Sequence, residues 1–351
     1  MERFDWGPKT YEENCERLIL IAQLAGLLHD IGHAPFSHGS ESDSLLGNKR
    51  HEDFSADIVT TEELGIKDII ESKLGNWGIT AEEIAALISG GGRPTATAFV
   101  PEIISSAWDV DKMDYLIRDS QYCGVRYGLY DIGRLLDTLT LYDEDPSGSL
   151  LLGIEWDGVH AIEGFIFARY FMFTQVYFHH VRRSYDLILG EFIRSLLKNE
   201  YGVDHYPDDV REYVKWDDHR VFSKASEQGD TSQKNLAWRL TSRQHLKPVH
   251  TTEEHPDPLV ARKALWQLPK VIREKFPGVL VWPDQASDHP ERFRKEELRV
   301  HLPTLGWRSL HTVSKALQGL EEIAQVRVYA DVRGDDSLMD KIGGFCQQFM
   351  S

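Results

Sequence analysis

Cysteine is scarce in this 351-residue chain. Cys15, Cys123 and Cys346 stand far apart and none belongs to a Cys-x-x-Cys pair, which excludes a disulfide framework and a cysteine-based zinc site. A long apolar run is missing too. The most apolar stretch, Leu18–Leu28, falls well short of the roughly 20 residues needed to span a bilayer. Met1–Arg17 is polar, without a basic segment leading into an apolar core, so no secretory signal is indicated. A cytoplasmic protein with no membrane partner is expected. Positive charge is also in deficit: 39 Lys and Arg stand against 56 Asp and Glu, a formal net charge of −17. Broad nucleic-acid binding needs cations that displace counterions, so nucleic acid is not the expected partner. A local basic pocket inside an acidic protein can still hold a phosphate. Histidine is plentiful overall, yet residues 1–28 contain none.

What is present is helical periodicity. Leu18, Ile21, Ala22, Ala25 and Leu28 recur at three- and four-residue spacing and predict one buried helical face. His51–Val59, Ala81–Ile88 and Ile103–Ser120 have the same pattern. His160–Leu197 is apolar nearly all round and predicts a long central helix, or two in succession, buried on several sides. Ser149–Trp156, after an acidic turn, predicts a strand, and the polar stretch Ser223–Gln233 a loop. Beyond it, His245–Thr251, Pro277–Trp282, Leu298–Leu302 and Ala324–Val332 have strand character, while Pro258–Phe276 and Asp336–Met350 have helical character. The scattered Trp77, Trp156, Trp238, Trp266, Trp282 and Trp307 are expected in cores. Gly90–Pro94 lacks the Gly-Lys-Ser/Thr ending of a phosphate loop and is expected to be a flexible connection. The expected fold class is mainly α: a helical domain over residues 1–200, with a smaller α+β region over 201–351 packed on it.

Two segments carry chemistry. Ala25–Glu41 (AGLLHDIGHAPFSHGSE) runs from an amphipathic helix into His29-Asp30, then a glycine-containing turn with His33 and His38, and Glu41 three residues on. Imidazole nitrogen beside carboxylate oxygen suits iron, manganese, nickel or zinc, with magnesium less favoured. A plain surface histidine cluster fits the same letters. Trp108–Asp119 (WDVDKMDYLIRD) is the second. On a helix, Asp111, Tyr115 and Arg118 share one face, and Lys112, Tyr115 and Asp119 the adjoining one. Carboxylates, an ammonium and a phenol in one strip suit a metal and a phosphorylated sugar; a solvated, salt-bridged face has the same composition.

Together the two segments resemble the HD superfamily of metal-dependent phosphohydrolases, and within it the deoxynucleoside triphosphate triphosphohydrolases. The first is similar to the HD motif and its following loop. HEDFSADIV resembles the next helix, and WDVDKMDYLIRDSQYCGV the last metal-ligand helix. The likeness continues through ARYFMFTQVYFHHVRRSYD and, more loosely, LAWRLTSRQHLKPV and VRVYAD. The resemblance implies that His29, Asp30 and Asp111 are ligands of a divalent metal ion. It implies that His33, His38 and His51 surround the scissile phosphate, with Glu41 orienting His38. Lys112, Tyr115 and Arg169 would hold phosphate oxygens, Asp119 the sugar hydroxyl, and Tyr177 would stand by the sugar and base. The implied reaction is hydrolysis of a dNTP, dGTP foremost, to deoxynucleoside and triphosphate by a homo-oligomer, dimer or tetramer. Rival expectations are an HD phosphohydrolase acting on nucleoside monophosphates or nucleic-acid ends, and a nucleotide-binding regulator without turnover.

The family pattern also has a histidine on a helix upstream of the His-Asp pair, often in an Arg-Phe-x-His-Ser context, and residues 1–28 offer no counterpart. Truncation upstream of Met1 is the expectation, because the other pocket residues are all present. The alternatives are three protein ligands holding a weaker or different metal, or a substitute such as His179 or His180. That histidine pair, with Arg182 and Arg183, otherwise suggests an effector or intersubunit contact, or a wetted helix end.

Overall fold

Capping chemistry starts the first helix. The Thr10 hydroxyl accepts the Glu13 amide at 3.2 Å and the Glu13 carboxylate accepts the Thr10 amide at 2.8 Å, a reciprocal box that satisfies two otherwise orphaned donors. The chain was analysed as a computed structural model that describes residues 10–41, 45–90, 98–143, 145, 148–227, 236–288, 298–332 and 334–351. Helix α1 (Tyr11–Leu28) buries Ile21 and Ala25. α2 (His51–Thr60), α3 (Ile66–Leu74), α4 (Ala81–Ile88) and α5 (Phe99–Ile104) close around that face with Val59, Ile70, Ile84 and Val100.

The fold is mainly α, with a smaller α+β part. α6 (Val110–Tyr122) and α7 (Ile132–Asp137) pack on α8 (Val159–Met172). α8 is apolar on most sides because most of it is buried: Ile162, Phe165 and Ile166 share a core with Met113 and Leu116 of α6 and with Ile154 and Val300 from a sheet, while His160 and Phe171 are exposed. Burying each such side chain contributes about 1.5–3 kcal/mol. The predicted span His160–Leu197 is two helices in succession, since a π-helical turn at Phe173–Tyr177 separates α8 from α9 (His180–Tyr201). α9 forms a further core in which Phe192, Ile193 and Leu197 meet Phe54, Tyr206, Tyr213 and Trp216.

Among the described residues, seven strands make two small sheets. β1 (Leu139–Tyr142) and β2 (Leu151–Glu155) are antiparallel, β2 runs parallel to β5 (Arg299–Leu302), and β6 (Gly306–Ser309) closes that edge. The second sheet has the order β3-β7-β4, from Lys247–Thr251, Ile323–Ala330 and Val281–Asp288, all antiparallel. Side chains and strands from beyond residue 200 thus enter cores and a sheet begun before it. Among the described residues no helix is long and apolar enough to cross a membrane.

Three local expectations need correction. Ile103–Ser120 is not one helix: Ser105 is extended, and the buried Asp109 carboxylate accepts the Lys112 and Ser106 amides, starting α6 afresh. The polar stretch from Ser223 is helical as far as Glu227, because Val221 and Ala225 fall on one buried face of Asp218–Glu227; its residues 228–233 lie outside the described residues. Trp156 and Trp266 are 44% and 64% exposed instead of lying in a core, whereas Trp77, Trp238, Trp282 and Trp307 are half-buried. Positions 91–94 of the glycine-rich stretch also lie outside the described residues.

A tight junction lies just after α1. The Gly32 amide donates to Ser55 Oγ at 2.8 Å, and Ser55 Oγ donates to the His29 carbonyl at 2.6 Å. A Cβ on Gly32 would lie 2.2 Å from Ser55 N and 2.3 Å from His51 O, so only glycine lets the turn meet α2. Gly32→Ala is therefore expected to destabilise the protein by about 2 kcal/mol or more in urea unfolding. A midpoint unchanged from that of the parent would mean that the two backbones are not in contact.

Candidate active site

His29 caps the C-terminal end of α1, and Asp30 follows it into the turn. His29 Nδ1 lies 2.8 Å from the Gly26 carbonyl, which only accepts, so this nitrogen carries the proton. In the neutral ring, Nε2 then presents a lone pair, and it points at Asp30 Oδ1 3.1 Å away. Asp111, in the first turn of α6, completes a trio whose ligand atoms lie within 4.8 Å of one another. A lone pair and two carboxylates converging on one point repel unless a cation stands between them. The Asp111 carboxyl is held above its ordinary value by burial, and by the charges of Asp30 and Asp109. The donor set therefore fits a divalent metal, and the carbonyl on Nδ1 is the kind of outer partner that orients a histidine ligand. Neither group of potential ligands found among the described residues includes His179 or His180.

Next to the trio, Glu41 gathers the other three imidazoles. Its carboxylate meets His33 Nδ1 at 2.6 Å, His38 Nδ1 at 3.0 Å and His51 Nδ1 at 3.5 Å, and accepts the Ala34 amide at 2.9 Å. The four side chains also form a group within 4.8 Å, and the His33 and His51 rings stack at 4.0 Å. His33 joins the two groups, because its Nε2 lies 3.4 Å from Asp30 Oδ1. His38 differs from its neighbours: its side chain is 70% exposed, and with Nδ1 on Glu41 its Nε2 is left to face outward. The loop bends sharply to do this, with Phe36 at φ 62° and Ser37 at φ 49°, a left-handed conformation that few non-glycine residues adopt.

Helix α6 supplies the rest. Lys112 Nζ is tied to the buried Asp109 at 2.6 Å. One turn on, Tyr115 is half-buried and bonded to Arg169 of α8; desolvation pushes its phenol up to about 12 despite that neighbour. Arg169 is 4% exposed, lies 4.7 Å from the Phe173 ring centre, and donates to Asp288 of β4 at 2.6 Å. Asp119 accepts the Tyr177 hydroxyl at 2.9 Å, and the Tyr115 and Tyr177 rings meet edge to face. The sequence-derived residues thus fall into linked groups along one region: His29, Asp30 and Asp111; then His33, His38, Glu41 and His51; then Lys112; then Tyr115 with Arg169; and Asp119 with Tyr177. Arg118 turns away to Asp114 at 2.9 Å.

Three residues escaped sequence reasoning. Asp109 was legible as a helix cap three residues before Lys112. Ser55 and Asp288 act across 26 and 119 positions, where no local pattern exists.

With this geometry in hand, comparison with known proteins is direct. Residues 10–119 match the HD domain, and residues 130–265 match the HD associated region. The chain thus carries an HD domain followed by an HD associated region. It is 29% identical over 315 residues to the uncharacterized protein YwfO of Bacillus subtilis, covering 83% of this chain and 67% of that one. It is 32% identical over 188 residues to the deoxynucleoside triphosphate triphosphohydrolase SAMHD1 homolog of Dictyostelium discoideum, covering 51% of this chain and 34% of that one. The chain spans only part of the curated relatives it matches, two-thirds of the first and about a third of the other. Among solved structures, a hypothetical protein from Aquifex aeolicus superposes with a TM-score of 0.71 at 28% identity, covering 95% of this chain and 82% of that one. The phosphohydrolase BT4208 from Bacteroides thetaiotaomicron has the same fold, with a TM-score of 0.65 at 20% identity over 93% of this chain and 82% of that one. As an HD-domain protein, the chain resembles dNTP triphosphohydrolases.

The Glu41 cluster makes stability depend on pH. Burial would push His33 down, yet its bonds to Asp30 and Glu41 raise it from 6.5 to about 9. Burial would push Glu41 up, but His33 and His38 lower it from 4.5 to about 2. Because folding raises His33, its stabilisation is complete below pH 6.5 and is lost as pH rises through about 9. Because folding lowers Glu41, its stabilisation is complete above pH 4.5 and is lost as pH falls towards about 2. In chelator-treated protein the melting temperature is expected to fall between pH 6.5 and 9, and Glu41→Gln to lessen that fall. An equal fall in Glu41→Gln would contradict the coupling.

Proposed function

We propose that this HD-domain protein is a metal-dependent phosphohydrolase that cleaves deoxynucleoside triphosphates, dGTP foremost, into deoxynucleoside and inorganic triphosphate. The observation that carries this reading is the convergence of His29, Asp30 and Asp111 beside the His33, His38, Glu41 and His51 cluster. Similarity to named dNTP triphosphohydrolases supports the nucleotide substrate. His29, Asp30 and Asp111 hold the metal, which when bound supplies Lewis acidity and lowers the pKa of water. Its identity is open among manganese, iron, nickel, zinc and magnesium.

The chain's own side chains do the rest. Lys112, Tyr115 and Arg169 bind phosphate oxygens, where fixed positive charge and donors stabilise the charge that develops in the transition state. Water adds to the α-phosphorus as the bond to the sugar 5′ oxygen breaks, and that oxygen needs a proton. His38 is the donor: with Nδ1 donating to Glu41, Nε2 carries a second proton in the imidazolium form and passes it to the leaving oxygen, and a proton released by the attacking water restores the ring. His33 is bound to carboxylates through both nitrogens, so with His51 it lines the phosphate side and holds charge. Asp119 receives the sugar hydroxyl, and Tyr177, on the same carboxylate, borders the sugar and base. The protein works in the cytoplasm as a homo-oligomer.

A second reading is a nucleotide-binding regulator that does not turn over substrate, and a ligand set of three side chains among the described residues, His29, Asp30 and Asp111, favours it. It requires dGTP binding without hydrolysis even when manganese or iron is supplied. Product analysis separates these readings, since triphosphate from dGTP marks the first and orthophosphate from dGMP marks a monophosphatase. Asp111→Ala is expected to lose bound metal by elemental analysis and all turnover. Lys112→Ala is expected to keep its metal and lose roughly a hundredfold in kcat/KM. Unchanged metal content in Asp111→Ala would remove that residue from the ligand set.

A further inference from the structure

Strand β4 lies against the break between α8 and α9, and its alternate residues each meet a helical partner. Asp284 accepts Arg183 Nε at 3.0 Å, Ala286 shares a buried cluster with Phe178, and Asp288 accepts Arg169 Nη2 at 2.6 Å. Those three partners bracket the π-helical turn that carries Tyr177. Arg169 is almost wholly buried, yet it is the member of this set that touches a pocket residue, Tyr115. A long guanidinium side chain that must face two ways needs an anchor on each side. Phe173 supports its flat face and Tyr115 bonds it on the pocket side, while Asp288, 119 positions along the chain, bonds it with a full negative charge.

We propose that Asp288 is a positioning residue of the active site: it fixes the Arg169 guanidinium against Tyr115 and so sets its aim toward the substrate phosphates. The assignment rests on the reading of Arg169 as a phosphate-binding residue. It makes the C-terminal sheet part of the functional unit, because β4 sets the aim of a side chain that belongs to α8. Asp284 provides the control within the protein. It lies on the same strand, its carboxylate is more buried than that of Asp288, and its partner Arg183 bonds none of the pocket residues.

Asp288→Asn and Asp284→Asn in the full chain test this. Both are expected to lower the melting temperature and leave metal content unchanged. Asp288→Asn alone is expected to raise the KM for dGTP about tenfold with kcat within about twofold, as loss of uniform binding requires. In an Arg169→Lys background, adding Asp288→Asn is expected to change KM less than about twofold, because the residue acts through Arg169. A readout without ligand uses 15N-arginine labelling: the Arg169 guanidinium signal, assigned through Arg169→Lys, should be slowly exchanging in the parent and in Asp284→Asn and averaged in Asp288→Asn. If Asp288→Asn does not fold, Asp288→Glu, which keeps the charge one methylene further out, takes its place. A parent that hydrolyses no nucleotide while the Arg169 signal responds as described would sink the phosphohydrolase reading and leave the positioning role intact. An Arg169 signal unchanged in Asp288→Asn, or an equal KM rise in Asp284→Asn, overturns the positioning role.

Discussion

Partly buried carboxylates in want of positive partners are the constraint on which this molecule turns. The chain carries a formal charge of −17, yet it gathers Asp30, Glu41, Asp109, Asp111, Asp119 and Asp288 into one region. Unpaired, such groups would resist folding by several kcal/mol each. Glu41 is neutralised by imidazoles, Asp109 by Lys112, and Asp288 by Arg169. Asp30 has His33 beside it, while Asp111 has no such bond and takes up protons more readily than an ordinary carboxyl. The same pairing logic thus satisfies each carboxylate but leaves one place where a metal ion is the natural complement.

The scaffold serves that arrangement by bringing three backbones very close. Gly32 lets the turn after α1 meet α2, Ser55 fastens the carbonyl of His29, and Asp109 restarts a helix so that Asp111 faces the His-Asp pair. The strained φ angles at Phe36 and Ser37 turn His38 outward from a cluster whose other members are half-buried. Backbone strain at such a place is sustained because its surroundings over-determine it. Here the Phe36 amide is held by Asp218, and the loop carbonyls by Ser40 and Tyr213.

Much of the site was legible in the linear sequence because its ligands are clustered there. His29, Asp30, His33, His38 and Glu41 lie within thirteen positions, and helical spacing puts Asp111, Lys112, Tyr115 and Asp119 on adjoining faces, while their expected roles came from the family resemblance. The periodicity of α1, α2 and α4 was equally direct, since burial of one face leaves its mark every three or four residues. The break before α6 was not legible by that measure. A single apolar pattern runs through Ile103–Ser120, and one capping carboxylate decides where the helix restarts. The helix Asp218–Glu227 was hidden for the opposite reason: two buried residues, Val221 and Ala225, outweigh a mostly polar composition.

By itself the sequence determined the residue types that can hold a metal and a phosphate, the helical character of the first two hundred positions, and the mainly α fold class. These are set by local spacing, which fixes which side chains share a face before any tertiary contact forms. Only the tertiary structure decided which polar group answers which: the carboxylates of Asp288 and Asp284 with Arg169 and Arg183, and the Ser55 hydroxyl with the His29 carbonyl. Those pairs join positions 26 to 119 residues apart, and their strength depends on distance and burial, which the folded chain creates and linear order does not contain.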